Sequence, residues 1–211
     1  MPPGSSEPSA PLRPEQERAL AYLRENGTEL PVALIRERVA AAFATLERIA
    51  GGVGEAAARA HPLPGEWSVQ EVLDHLVETH RASIGELRGL LDGRRPMGPP
   101  IPAALQSPDP SARALADLLR DLGSAHAEVL ALLDAAPASH ATAARAPVVM
   151  VINTREPDGR ERPLQWLEEL DWKAYAIVFR LHVLDHLAQI RKTLSAAPRV
   201  HEPLIRDTSL D

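Results

Sequence analysis

The chain contains no cysteine, which excludes disulfides, thiolate-ligated zinc and a cysteine nucleophile. Aromatic residues supply only 3% of its 211 residues while hydrophobic residues supply 45%, so the core must be assembled from Leu, Ala, Val and Ile. That composition suits closely packed helices. A basic stripe is also missing: 23 Lys and Arg are scattered among 29 Asp and Glu, for a net charge of −6. This argues against nucleic acid as the main partner. No stretch approaches the roughly 20 apolar residues that a membrane-spanning helix needs, so no membrane partner is expected. The opening segment has neither a basic start nor an apolar run, so no secretory signal is expected. A soluble, cytoplasmic protein is the expectation, and the lack of cysteine is compatible with a reducing compartment without proving it. The length suits one domain with a proper core.

Along the chain, residues 1–13, rich in Pro, Ser and Gly, read as a disordered leader, 14–196 as a single domain and 197–211 as a tail. Pro14 to Asn26 predicts a short helix closed by Gly27 in the left-handed position. A longer helix is expected from about Glu29, because Ile35, Val39, Ala42, Leu46, Ile49 and Val53 alternate steps of four and three. Ser68 and Glu71 form a capping box for the next helix, with Trp67 placed to staple onto Val72. Its apolar stripe runs Val69, Leu73, Leu76, Ile84, Leu87 and Leu91. Gly93 to Pro110 reads as a crossover linker. Asp109 is expected to cap a third long helix with Pro110 at its first position, and Leu115, Leu119, Leu122, Val129 and Leu133 to line its buried side. The pattern breaks over 136–162, where Pro147–Asn153 and Pro157-Asp158-Gly159 predict a short strand and a turn. A fourth long helix is expected from about Pro163 to Ala196. The fold class is therefore all-α, a four-helix bundle with long crossover connections, a short extra N-terminal helix and a small β-like insertion before the last helix.

Three histidines stand out against this frame. At about 100° per residue, His182 and His186 point within about 40° of each other, in the sector shared by Tyr175, Val178, Phe179, Gln189 and Thr193. Both imidazoles are thus expected to face the bundle interior, where an i,i+4 pair can hold one ion from a single turn. His75 lies at the edge of its helix's apolar stripe and reaches the same point if the second and fourth helices are neighbours. Three neutral nitrogens would leave a divalent ion with open positions for water or substrate, as a catalytic site requires. The plainer reading is that inward histidines are hydrogen-bonded core residues, and spacing alone does not decide between the two.

Two segments add to the spacing. Gly65-Glu-Trp-Ser-Val-Gln-Glu-Val-Leu-Asp-His75-Leu76 resembles the second-helix signature of the DinB-like (YfiT-type) bundle family, in which Trp-Ser opens the helix and a His follows eight residues after the Trp. His182-Val-Leu-Asp-His186-Leu-Ala-Gln189-Ile190 resembles the family's fourth-helix signature, His-x-x-x-His-x-x-Gln-Ile. The resemblance spans roughly residues 29–196. It implies a three-histidine metal site on His75, His182 and His186 for nickel, zinc or a similar divalent ion. It also implies a homodimer and a reaction on a small-molecule substrate, either hydrolysis or transfer of a low-molecular-weight thiol as co-substrate.

Other residues carry weaker expectations. His126 lies between Leu122 and Val129 in the third helix's stripe; it is either a buried, hydrogen-bonded histidine or a fourth ligand or acid/base beside the metal. Asp185 and Gln189 are candidates to orient a ligand imidazole or contact a bound water. Glu71 is already explained by its cap. His80 is expected on the helix flank, since five residues from His75 is the wrong spacing for one face. His61, His140 and His201 fall in expected loops, and no role is assigned to them. Arg155, Arg160 and Arg162 in the insertion are solvated loop residues on the plainer reading and an anion attractor on the other. With no general base evident beside the histidines, the balance tilts toward thiol activation. The rival class is a non-catalytic bundle that binds a partner or small ligand, its histidines merely packed.

Overall fold

The structure, a computed structural model, describes residues 11–137, 140–155 and 158–196. Most of the expected leader, the tail with His201, the side chain of Arg155 and the turn residue Pro157 lie outside the described residues. The elements in order are α1 (Pro14–Leu23), a π-helical turn (Arg24–Thr28), α2 (Val32–Ala50), α3 (Glu55–Arg59), α4 (Val69–Leu91), α5 (Leu115–Ala135), β1 (Ala146–Arg155), β2 (Glu161–Leu170) and α6 (Trp172–Ala196). The helix α2 packs on α5 and α6, and α4 packs on the same two. The two helices of each diagonal, α2/α4 and α5/α6, are therefore consecutive long helices in the chain. That arrangement requires the long connections read from the sequence, because a tight turn would place consecutive helices side by side.

The stripes explain the packing. Ile35, Val39, Ala42 and Leu46 of α2, Val69, Leu73, Leu76, Ile84 and Leu87 of α4, and Leu115, Leu122, Val129 and Leu133 of α5 are all buried in one core. On α5 the neighbour Leu118 is fully buried and Leu119 only partly so. The capping box at α4 is present as expected: Ser68 accepts from the Glu71 backbone amide, and Glu71 accepts from that of Ser68 at 2.7 Å.

Four boundaries differ from the sequence expectation. Gly27 is not a left-handed cap. The chain continues there as a π turn, and a Cβ at Gly27 would lie 2.7 Å from the Ala174 Cα, so glycine is needed for close approach to α6. The helix α5 begins at Leu115, not beside Asp109 and Pro110. The Gln70 side-chain amide donates to the carbonyls of Ser111 at 2.9 Å and Arg113 at 2.7 Å, which holds these residues in a turn and delays the helix. Asp109 instead accepts from the Ser111 hydroxyl. The short helix α3 had no sequence signal strong enough to read.

The largest difference lies before the last helix. Residues 163–170, expected as the start of that helix, belong instead to β2, which pairs antiparallel with β1 from Ala146↔Leu170 to Arg155↔Glu161. Asp171 then accepts from the backbone amides of Lys173 at 2.9 Å and Ala174 at 3.0 Å, an N-cap that starts α6 at Trp172. The hairpin is anchored at its base, where Ala146, Met150 and Leu170 are buried, while Val151 and Leu167 are exposed.

Candidate metal centre

The helices α4 and α6 are neighbours, and this brings the three singled-out histidines together. His75 Nε2 lies 2.9 Å from His182 Nε2, and His186 Nε2 lies 3.0 Å from the same atom. One ligand atom from each of the three falls within 4.8 Å of the others. Trp67, which precedes the α4 cap, lies over this cluster, its ring centroid 5.1 Å from that of His75 and 6.4 Å from that of His186.

The outer nitrogens fix the chemistry of the inner ones. His75 Nδ1 donates to the Leu105 carbonyl at 2.7 Å, and His186 Nδ1 donates to Gln189 Oε1 at 2.9 Å. In a neutral imidazole the other nitrogen is then a bare lone pair. Two such lone pairs converge on His182 Nε2, which can donate at most one proton. Hydrogen bonds within the trio therefore leave at least one lone pair aimed at another without a proton between them. Burial pushes His75 down to about 4, with His186 reinforcing the fall and the Leu105 carbonyl opposing it. Burial also holds His182 well below the usual imidazole range and lowers His186. The trio is thus neutral at pH 7, the state that binds metal. A set of three imidazole nitrogens, all within 4.8 Å of one another and two of them oriented by oxygen acceptors, fits a divalent ion held at about 2.0–2.1 Å from each.

The linker between α4 and α5 is strapped to this site. Asp74, fully buried, accepts from the Ser107 backbone amide at 2.8 Å and pairs with Arg113. Gln106 donates to the Glu71 carbonyl at 3.0 Å. These bonds seat Leu105 beside His75. Sequence reading missed Gln70, Asp74 and Leu105. Two polar residues placed one turn apart on the buried face of α4 were the signal available for the first two, while a backbone carbonyl leaves none.

A cavity of about 100 Å³ opens next to the trio, lined by His75 and His182 at one end, by α4 and α6 along its length, and by linker residues Ile101–Ala103 and hairpin residues Pro147–Val149. The hairpin thus contributes one wall of the cavity. Arg160 and Arg162 do not: both are exposed and neither lines the cavity.

The remaining candidates separate. Gln189 accepts from the His186 imidazole, as described. Asp185 is exposed and makes no hydrogen bond to the trio, because its position on α6 points it to solvent. His126 is not part of the cluster. It stacks on Phe43 with ring centroids 3.7 Å apart, and its Nδ1 donates to Glu47 at 2.5 Å. The buried-histidine reading holds, with a carboxylate as the partner. His80, expected on the flank, is 1% exposed. The inward face of α4 is wider than one stripe, and His80 turns into the core between His126 and His182, with ring centroids at 5.4 and 5.7 Å. Neither of its nitrogens has a hydrogen-bond partner among the described residues.

Comparisons with known proteins agree with this architecture. A solved structure described as "YfiT from Bacillus subtilis is a probable metal-dependent hydrolase with an unusual four-helix bundle topology" superposes with a TM-score of 0.52 at 17% identity, covering 90% of this chain and 93% of the other. At that identity the likeness shows the shared fold. No curated protein matches the chain. The family model of the DinB superfamily matches residues 36–190, a span that takes in all of α4 and α5, most of α2 and α6, and the three clustered histidines, and on that match the chain belongs to the DinB superfamily.

Proposed function

We propose that His75, His182 and His186 hold one divalent ion, nickel or zinc, and that the protein is a metal-dependent enzyme acting on a small molecule, with thiol transfer to an electrophile as its leading chemistry. The observation that carries this reading is the convergence of three Nε2 atoms, two of them left as lone pairs by the bonds of Nδ1 to Leu105 and Gln189. When bound, such an ion supplies Lewis acidity that favours the deprotonated form of a nucleophile, thiol or water. The chain's own residues do the rest. Leu105 and Gln189 orient two imidazoles, Trp67 covers them, and the linker and hairpin walls keep bulk water from one side of the cavity.

Thiol chemistry leads because the nearby carboxylates are committed elsewhere. Glu71 closes the α4 cap, Asp74 is bonded to Ser107 and Arg113, and Asp185 is exposed. A thiol deprotonates more readily than water and does without a base. Hydrolysis is the alternative, supported by the description of the Bacillus subtilis structure as a probable metal-dependent hydrolase. The same reading takes the protein as a cytoplasmic homodimer, following the family resemblance.

Elemental analysis of protein purified without a polyhistidine tag tests the ion. Near-stoichiometric metal, lost in a His182→Ala/His186→Ala variant, is expected. At free metal about a thousandfold above Kd, the bound ion stabilises the folded state by about 4 kcal/mol, or roughly 8–16 °C in Tm for a domain of this size. Metal-free protein whose Tm ignores added zinc and nickel would sink the reading and leave the non-catalytic bundle in its place.

A further inference from the structure

The cavity has a second end. Along α4 the residues His75, Thr79, Ser83 and Glu86 follow one face in steps of four and three, and along α6 Tyr175, Phe179 and His182 do the same. Seven residues of helix separate Tyr175 from His182 on α6 and eleven separate His75 from Glu86 on α4, about 10 and about 16 Å at 1.5 Å per residue. The cavity is therefore a trough with imidazoles at one end and the Glu86–Tyr175 pair at the other, walled between them by apolar groups such as Val148 and Phe179.

Glu86 is out of keeping with such walls. Its carboxylate accepts one hydrogen bond, from the Tyr175 hydroxyl at 2.7 Å. No Lys or Arg lines the cavity, and among the described residues no cationic side chain pairs with Glu86. Burial raises its carboxyl while the Tyr175 bond opposes the rise. Burial and the adjacent carboxylate also hold Tyr175 well above the usual phenol range, so Tyr175 keeps its proton and donates it to Glu86. A half-buried carboxylate can accept several further donors, and burying it without a counter-charge is costly.

We infer that the cavity receives a small ligand with a metal-directed donor atom at one end and an ammonium group at the other, about 10 Å or more apart, the ammonium seated on Glu86. The metal-directed end rests on the function proposed above; the ammonium end rests on Glu86, Tyr175 and the absence of any cation from the walls. The same features disfavour ligands whose distal end is a carboxylate.

The test is calorimetric titration of zinc-loaded and of metal-free protein with three thiols sharing a six-carbon spacer: 6-amino-1-hexanethiol, 1-hexanethiol and 6-mercaptohexanoate. On the zinc-loaded protein the aminothiol is expected to bind tightest and the carboxylate weakest. The gap between the aminothiol and the neutral thiol is expected to be about tenfold or more, as for a hydrogen bond to a charged group. Glu86→Gln keeps an acceptor for Tyr175 and so preserves the packing. It is expected to erase the gap between the aminothiol and hexanethiol while leaving hexanethiol itself within about twofold. Mercaptohexanoate binding as tightly as the aminothiol, or a gap that survives in Glu86→Gln, overturns the inference. The metal-free titration separates the two claims. Hexanethiol binding equally with and without zinc sinks the metal end alone, whereas an amine preference present in both forms upholds the Glu86 end.

Discussion

His75, His182 and His186 on one side, and His80 and His126 on the other, are all inward imidazoles of the same bundle, yet their surroundings differ. In the trio, oxygens of Leu105 and Gln189 take the outer nitrogens and leave the inner ones converging. In the pair, the rings lie against Phe43 and Phe179, His126 bonds outward to Glu47, and the His80 nitrogens have no partner among the described residues. Burial is common to both groups. An outer oxygen alone does not separate the groups, since Glu47 supplies one to His126; what marks the candidate ligand set is the shared focus of its inner nitrogens, with two of the three rings oriented from outside.

The largest effect should come from proton uptake, which both groups resist. In the unfolded chain an imidazole takes its proton near 6.5, while burial holds His75 to about 4 in the folded protein and lowers His80, His126, His182 and His186 as well. Below 6.5 the unfolded state therefore binds protons that the folded state refuses. Stability is full above about 6.5 and drains as pH falls toward 4, by about 3 kcal/mol for His75 alone. Urea unfolding midpoints in chelator at pH 7.5 and 4.5 measure this. A midpoint that does not move would show that the imidazoles are not buried as described.

The second effect sharpens the contrast between the groups. Gln189→Ala removes the acceptor that orients His186, and loss of such an orienting partner lowers metal affinity by about 10–100-fold. Glu47→Ala, which strips the corresponding partner from His126, is expected to leave metal affinity within about twofold. Zinc titration against a competing chelator reads both. Equal losses in the two variants would erase the distinction drawn between the groups.

The trio was legible because helical periodicity converts sequence spacing into direction: His182 and His186 share a face by arithmetic, and the capping box at Ser68 sets the phase of α4 and so of His75. The four-helix frame was legible for the same reason. Contacts made at long range were not. The Leu105 carbonyl carries no side-chain signature, and it reaches His75 only because Asp74 and Gln70 strap a proline-rich linker down. The segment from about Pro163 to Leu170 is expected from sequence to open the last helix, yet its conformation is decided by pairing with β1, a partner that local pattern does not reveal. His80 was misplaced because a central bundle helix buries more than one stripe, so five-residue spacing does not exile a side chain to the surface.

The smallest effect concerns His80 itself. Each buried polar atom left without a partner costs about 1–3 kcal/mol, whereas an apolar group of similar shape in its place is close to neutral or stabilising. His80→Leu keeps most of the volume, removes two such nitrogens, and gives up an edge contact with Phe179 at 5.1 Å between ring centroids. The net expected is a gain of about 1 kcal/mol, roughly 2–4 °C in Tm, with zinc affinity unchanged. A histidine retained at the expense of stability is what a functional site tends to keep, so the variant also asks which group His80 belongs to. If His80→Leu melts higher and binds zinc as before, His80 is packing behind His182. If it melts lower, or loses zinc, the partition fails and His80 has to be counted with the trio, with His182 depending on it for its place.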